Sequence, residues 1–177
     1  VRLPLKDLNR LRSDLTVPEV RSAEEWRLFK KMQMNGSLPS LAYSPWHPEF
    51  CREIDMTHGR RHFVKQPQDG CLPVIEGRMV QPHRLGCKAY ISGEGRSAVW
   101  HNLALGESRI APQFWLPMSA ASAQAKGRSQ RMRAGFCDIT GQTNERSMMA
   151  ALIPPGVVCG NKVPTLTFPN DPSEERI

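Results

Sequence analysis

The sequence predicts an α+β fold, with an amphipathic helix near the N-terminus followed by a strand-rich body. An early segment spaces its apolar residues as a helix does and starts with a capping signal. Short apolar stretches follow it, and the chain's 15 Pro and 13 Gly punctuate them. With 177 residues and 40% hydrophobic content, the chain is long enough for the core of one ordinary globular domain.

The helix is predicted to begin at Ser22, because Ser22 and Glu25 have the spacing of a capping box. Asn35-Gly36 predicts its end, since glycine readily takes the left-handed conformation that terminates helices. We interpret its aromatic residues as core anchors rather than as a functional patch. The positions on or beside its apolar face are Trp26, Phe29 and Gln33, with Leu28 and Met32.

Beyond the helix, apolar stretches recur at intervals of roughly 10–20 residues, which is typical of strands joined by loops. They cover residues 50–56, 72–80, 88–91, 109–116, 135–139, 148–153 and 163–168. Residues 117–133 combine small and basic side chains, which predicts either a short helix running into a basic loop or a mobile connection. Both alternatives place the basic side chains of this segment at the surface.

The domain boundaries are weakly marked, since the sequence has no internal repeat and no long low-complexity linker. We expect an N-terminal helical arm over residues 1–40 and a larger domain over residues 41–177, or one continuous domain 1–177. The chain opens without an initiator Met and closes on a polar run. We therefore expect it to be a piece of a longer protein.

The net charge indicates the class of binding partner, and the cysteine content indicates the cellular compartment. The 24 Lys and Arg against 17 Asp and Glu give a net charge of +7, which favours a nucleic-acid partner, although a basic coat on a soluble domain stays open. The 5 Cys are odd in number and widely spaced, and no secretory signal is recognisable, so reduced thiols in the cytoplasm are expected. No apolar run approaches the ~18 residues of a membrane span, so no membrane partner is expected.

Three groups of short motifs occur in a fixed order along the chain. The first is Glu53-Ile54-Asp55-Met56-Thr57, followed by Phe63. The second is Glu76-Gly77-Arg78-Met79-Val80, followed by Lys88-Ala89-Tyr90 and by Gly93-Glu94-Gly95-Arg96 ahead of Trp100. The third is Thr143-Asn144-Glu145-Arg146, followed by Leu152-Ile153-Pro154-Pro155-Gly156 and Gly160-Asn161-Lys162-Val163-Pro164.

Together these motifs resemble the C-terminal target-recognition (specificity) region of large adenine-specific DNA methyltransferases, including fused type II restriction-modification enzymes. That region is similar to the specificity domain of the Taq-type methyltransferases, and the resemblance spans about residues 46–168. It implies a strand-rich specificity domain that reads duplex DNA. Where the family pattern has Phe-Asp-His-Arg, this chain has His83-Arg84-Leu85-Gly86, and such an altered loop is where a different target sequence would be encoded.

The catalytic motifs of that family are missing from the chain. It has no Gly-rich loop for S-adenosylmethionine, and its only Pro-Pro, in Ile153-Pro154-Pro155-Gly156, lacks the polar and aromatic residues of the Asn-Pro-Pro-Tyr type of turn. The resemblance therefore implies no methyl transfer and no cofactor in this chain. S-adenosylmethionine is expected in a catalytic methyltransferase domain of the same parent chain, into which the target adenine would be flipped.

Arg can pair bidentately with guanine, and Asn and Gln with adenine, so loops rich in these residues suit base readout, while other cations contact phosphates. We expect the loop after Val80, including Arg84, and the loop over residues 142–146 to read bases. A structural ion-pair network that involves Glu76, Arg78 and Arg146 and holds the loops stays open as an alternative. The candidate DNA-binding residues are Arg78, Gln81, His83, Arg84, Lys88, Arg96, Arg128, Arg131, Arg133, Gln142, Asn144, Arg146 and Lys162.

Two other functions stay open. A metal-dependent nuclease would need clustered carboxylates, for which Glu53, Asp55 and Glu76 are the candidates. A protein-docking module would need no DNA contact. No metal site is predicted, because the cysteines lack short paired spacings and Gly59, between His58 and His62, replaces the glutamate of a zinc-protease motif.

Overall fold

The computed structural model describes residues 2–11, 15, 17–33, 47–141, 144 and 146–168. The α+β class is confirmed. The helices are α1 (Leu5–Leu11), α2 (Ala23–Gln33) and α3 (Ala123–Ser129). The strands are β1 (Glu49–Cys51), β2 (Cys71–Ile75), β3 (Val80–Gln81), β4 (Arg84–Leu85), β5 (Lys88–Ser92), β6 (Val99–Asn102), β7 (Trp115–Pro117), β8 (Arg133–Phe136), β9 (Ala150–Ile153), β10 (Val158–Cys159) and β11 (Thr165–Thr167).

The chain divides into two compact units. The helical unit comprises Val1–Pro48 with Phe168–Asp171, and the strand unit comprises Glu49–Thr167 with Pro172–Ile177. Among the described residues, no helix has the length and apolar character needed to cross a membrane. The candidate DNA-binding residues all belong to the strand unit.

In the helical unit, α2 begins where the sequence predicts. The Ser22 hydroxyl accepts a hydrogen bond from the Glu25 backbone N–H at 3.0 Å, which satisfies a donor that the first helical turn leaves unpaired. The Glu25 carboxylate accepts from the backbone N–H of Arg21, at 2.5 Å, so the capping box is completed one residue earlier than in its usual form. The predicted stop at Asn35-Gly36 lies outside the described residues.

The predicted core face of α2 is confirmed in part. Trp26 is buried and stacks on Phe29 with 5.9 Å between ring centroids, whereas Leu28 and Met32 are exposed. The ammonium group of Lys30 lies 5.6 Å from the Trp26 ring centroid and 3.3 Å from an Asp7 carboxylate oxygen of α1. These contacts tie α2 to α1, a helix that the sequence pattern did not predict.

The strand unit contains two sheets and two hairpins. One sheet has the antiparallel order β1-β11-β8-β9, and the other has the order β10-β2-β7, with β10 parallel to β2. The β3–β4 and β5–β6 pairs form the hairpins. Each predicted apolar stretch contains or overlaps a strand. Three strands were not predicted, namely β6 and the short strands β4 and β10.

The segment 117–133 takes the helical alternative. Helix α3 begins after Ser122, whose hydroxyl accepts from the Ala125 backbone N–H at 3.1 Å, and Ala125 is fully buried. The expectation that the segment's cations all lie at the surface is wrong for Arg128 and Arg133, both of which are buried. Contacts with residues distant in sequence hold these two guanidinium groups in the interior. A local sequence pattern could not reveal such contacts.

Arg133 forms an ion pair with Glu53, and both side chains are 0% exposed. Its Nε donates to Glu53 Oε1 at 2.5 Å and its Nη2 to Oε2 at 2.9 Å. Glu53 also accepts from the Cys159 backbone N–H at 2.8 Å and from the Thr165 hydroxyl at 2.9 Å. The pair therefore connects β8, β10 and β11, with further donation from Arg133 to the carbonyls of Arg131, Pro154 and Val157.

Candidate nucleic-acid interface

The loop after Val80 is the turn of the β3–β4 hairpin. His83 lies in this turn with φ 60°, a left-handed conformation that non-glycine residues adopt at a cost. Its backbone N–H donates to the Ala150 carbonyl at 2.7 Å, which fixes the hairpin to the start of β9. The His83 side chain is exposed, and Gln81 and Arg84 on either side are half-buried. The turn therefore presents His83 to solvent on a fixed backbone.

Arg84 is bonded to its own chain. Its Nη2 donates to the carbonyl oxygens of Leu103 at 3.1 Å and Ala104 at 2.7 Å, and its Nε donates to that of Glu107 at 3.1 Å. These bonds hold the loop that follows β6. They count against the predicted base-reading role of Arg84, because Nε and Nη2 are already occupied.

Arg78 projects from a 3-10 helix, Gly77–Met79, whose other two residues are buried. A Cβ added to Gly77 would lie 3.1 Å from both the Lys162 carbonyl oxygen and Cys137 Sγ, so the backbone there is tightly packed. The turn thus has an immobile base, and Arg78 points away from it with 43% of its side chain exposed.

Glu76 and Trp100 flank the Arg78 guanidinium. Nε of Arg78 lies 3.6 Å from Glu76 Oε2, and its Cζ lies 5.1 Å from the centroid of the Trp100 ring. Trp100 in turn meets Tyr90 edge-on across the β5–β6 hairpin, with 5.5 Å between ring centroids. Burial raises the pKa of Glu76, and the positive charge of Arg78 partly opposes this rise.

Two buried polar atoms at this site lack a partner. Neither Glu76 Oε1 nor Trp100 Nε1 has a hydrogen bond within the described part of the chain. Such atoms are uncommon in folded proteins, because each has given up its water without replacement. Within the described residues, the Arg78 site therefore has two unsatisfied polar atoms.

Lys162 and the third motif lie beside this site. The Lys162 carbonyl, which packs on Gly77, accepts from the Asp138 backbone N–H at 3.0 Å, and the Lys162 side chain is exposed. The Thr140 hydroxyl donates to the Ser147 carbonyl at 3.0 Å and closes the loop that carries Asn144 and Arg146. The structure therefore places Arg78 and Lys162 near the base of that loop.

Asn144 and Arg146 are exposed, whereas Gln142 lies outside the described residues. Lys88 is half-buried in β5, and the side chain of Arg96 also lies outside the described part. Arg131, which follows α3, is exposed and is distant in sequence from the β3–β4 hairpin.

Arg128 and Arg133 are corrections to the predicted interface. Arg133 is enclosed by its pair with Glu53. Nη1 of Arg128 donates to the Thr165 hydroxyl at 3.3 Å, and its Nη2 donates to the Glu49 carbonyl at 3.1 Å. Both guanidinium groups are bonded inside the strand unit, so neither offers its charge to a phosphate.

A basic segment that sequence reasoning had not selected lies at the surface. The 3-10 helix His58–His62 exposes Arg60 and Arg61, and Lys65 follows it. Arg60 and Lys65 both form ion pairs with Glu94 of the β5–β6 turn. The run His58-Gly59-Arg60-Arg61-His62 was the available signal, since clustered charge on a short turn is usually exposed.

Two of the three carboxylates considered for a nuclease, Glu53 and Asp55, are engaged with different partners. Glu53 is occupied by Arg133, and Asp55 accepts from the His58 ring nitrogen at 2.7 Å. That contact lowers the pKa of Asp55 to about 2 and raises the pKa of His58. Among the described residues, no group of three or more His, Cys, Asp or Glu side chains is arranged to hold a metal ion, and all five cysteines are free.

No protein-family model matches the chain, and no curated protein matches its sequence. The resemblance to methyltransferase specificity regions therefore stays a prediction from the motifs themselves.

Proposed function

We propose that this chain binds duplex DNA and reads its sequence, as the specificity domain of a type II adenine-specific DNA methyltransferase from a bacterial restriction-modification system. The observation that carries the proposal is the partly exposed side chain of Arg78, held between Glu76 and Trp100. Lys162 and the loop with Asn144 and Arg146 lie beside it. A net charge of +7 supports association with a polyanion.

The exposed and half-buried candidate residues divide by chemistry into two roles. Lys162, Arg146 and Arg131 supply positive charge for phosphates, which sets affinity and orientation; for Arg146 this role replaces the base-reading role expected of its loop. Gln81, His83 and Asn144 carry hydrogen-bonding groups suited to base edges. In this proposal methyl transfer belongs to a catalytic domain of the same parent chain, which binds S-adenosylmethionine and receives the flipped adenine in the cytoplasm.

A salt titration tests the proposal. The 177-residue chain is titrated against a labelled random-sequence duplex at increasing salt, and affinity is expected to fall steeply. Lys162→Ala and Arg146→Ala should each lower the slope by about one released ion and weaken binding to all sequences equally. Arg21→Ala is the charge-matched control, since Arg21 lies in the helical unit and pairs with Glu19.

The alternatives predict other outcomes. A folded chain that binds no duplex even at low salt contradicts the proposal and favours a protein-docking module. Magnesium-dependent cleavage of the duplex by the purified chain favours a nuclease. Circular dichroism of each sample establishes that the chain is folded, so a negative titration is informative.

A further inference from the structure

Arg78 differs in what its guanidinium contacts from three other arginines that the sequence nominated, Arg84, Arg128 and Arg133. All three donate to carbonyl or carboxylate oxygens of this chain. The Nη1 and Nη2 groups of Arg78 make no hydrogen bond within the described residues, and its side chain is partly exposed. Its two terminal amino groups are therefore available to a ligand.

The orientation of this guanidinium is set from two sides. The Trp100 indole lies against the guanidinium at 5.1 Å, a cation–π contact that restricts its movement but uses none of its N–H donors. Glu76 lies on the Nε side at 3.6 Å, which is beyond a good hydrogen bond but close enough for attraction. Both contacts leave the Nη1–Nη2 edge of the fork open.

The backbone under Arg78 is equally constrained. Met79 is fully buried in a core cluster with Ile75, Val80 and Ile153, and Gly77 packs against the Lys162 backbone. Base readout needs side chains supported by rigid elements, because small displacements break two-point hydrogen bonding. The 3-10 helix Gly77–Met79 supplies such support.

We propose that Arg78 reads the O6 and N7 edge of a guanine in the major groove, with Trp100 and Glu76 as its positioning residues. This inference rests on the proposed DNA-reading function and assigns one residue of it. Glu76 Oε1 and Trp100 Nε1 are buried and have no partner among the described residues, so both side chains act on Arg78 by position and not by contact with the base. Guanine is the base that offers two acceptors along one edge, which matches a fixed two-donor fork.

A phosphate ligand would require a different property of the side chain at position 78. Phosphate contacts depend chiefly on charge, and a lysine ammonium can make them as a point charge. Guanine readout by a fork needs the planar group, and lysine replaces it poorly. The substitution Arg78→Lys therefore separates the two ligands, because it keeps the charge and removes the fork.

The experiment is repeated selection of a randomised duplex library by the 177-residue chain at low salt, followed by sequencing. Repeated rounds amplify even a weak preference. The wild-type chain should enrich a guanine at one position by on the order of tenfold. Arg78→Lys should lose that enrichment while its affinity for random duplex stays within about twofold.

Two further variants complete the design. Glu76→Gln should weaken the guanine preference at the same position but should not lower the melting temperature near neutral pH. A purely structural role of Glu76 does not predict this combination. Arg84→Lys also keeps the charge and removes the planar fork, but at a half-buried arginine that is bonded to its own chain, so it is the control and should keep the enriched sequence. If Arg78→Lys fails to fold, Arg78→Gln replaces it in the same selection.

The possible failures are distinguishable. An unchanged preference in Arg78→Lys overturns the inference, and a uniform loss of affinity in Arg78→Gln with the guanine preference intact identifies a phosphate contact instead. A wild-type chain that binds DNA but enriches no guanine also overturns the inference and leaves the salt-dependent binding in place. Absence of any DNA binding overturns the proposed function itself.

Discussion

Two Glu–Arg pairs in the strand unit contrast in almost every physical respect. Glu53 and Arg133 are 80 residues apart in sequence, and both are 0% exposed. Glu76 and Arg78 are neighbours on one turn, with side-chain exposures of 12% and 43%. Both oxygens of Glu53 accept hydrogen bonds, whereas Oε1 of Glu76 accepts none within the described residues.

The difference teaches how charge is used in this protein. A buried ion pair is tolerated only when its remaining donors and acceptors are satisfied, and the Glu53–Arg133 pair meets that condition. It holds three strands together and has no capacity left for a ligand. The Glu76–Arg78 pair is incomplete and partly exposed, so it contributes less to the fold and has donors available for binding.

The largest expected loss of unfolding free energy follows from breaking the Glu53–Arg133 pair. Arg133→Ala leaves the Glu53 carboxylate buried without its partner and should cost about 3–5 kcal/mol of unfolding free energy. Denaturant unfolding of wild type and variant measures the loss. Arg78→Ala is the comparison, with a smaller loss expected. Equal losses in the two variants would remove the distinction between completed and incomplete pairs.

An intermediate effect is expected at Arg84. Arg84→Ala removes the bonds to the Leu103, Ala104 and Glu107 carbonyls and should cost about 1–2 kcal/mol, because the charged donors are only half-buried. Arg61→Ala, at an exposed position of the same charge, should change stability by no more than about 0.5 kcal/mol. Thermal melts compare them. A selective change in DNA preference with unaltered stability would restore Arg84 as a base-reading residue.

The smallest effect concerns Glu76 and depends on pH. Burial raises the pKa of Glu76 above 4.5, so the folded state holds its proton more tightly than the unfolded state. The resulting stability is fully present below pH 4.5 and is lost as pH rises through the folded-state pKa. Glu76→Gln cannot titrate, so its stability relative to wild type should rise between acid and neutral pH.

The sign of this change is checked by measuring the unfolding free energies of wild type and Glu76→Gln at acid and at neutral pH. A variant that becomes relatively less stable as pH rises would show that the attraction of Arg78 for the ionised carboxylate exceeds the burial cost. The Glu76–Arg78 pair would then resemble Glu53–Arg133 more closely than its geometry indicates.

Local features of the fold were predictable because local physics sets them. Ser22 caps α2 through a bond spanning three residues, as its spacing from Glu25 predicts. Ser122 caps α3 in the same way, although that cap was not predicted. Apolar stretches mark strands because alternate side chains must be buried. Strands β4 and β10 are two residues long each, too short for such a pattern to be recognised.

The sequence by itself determined the α+β class, helix α2 and the excess of positive charge. Tertiary structure decided which arginines are available, because burial of a charge depends on partners brought from distant segments. Glu53 and Thr165 meet Arg133, and the carbonyls after β6 meet Arg84, only once the strands assemble. The same assembly leaves Arg78 against Trp100 with its terminal amino groups unbonded, since no acceptor among the described residues reaches them.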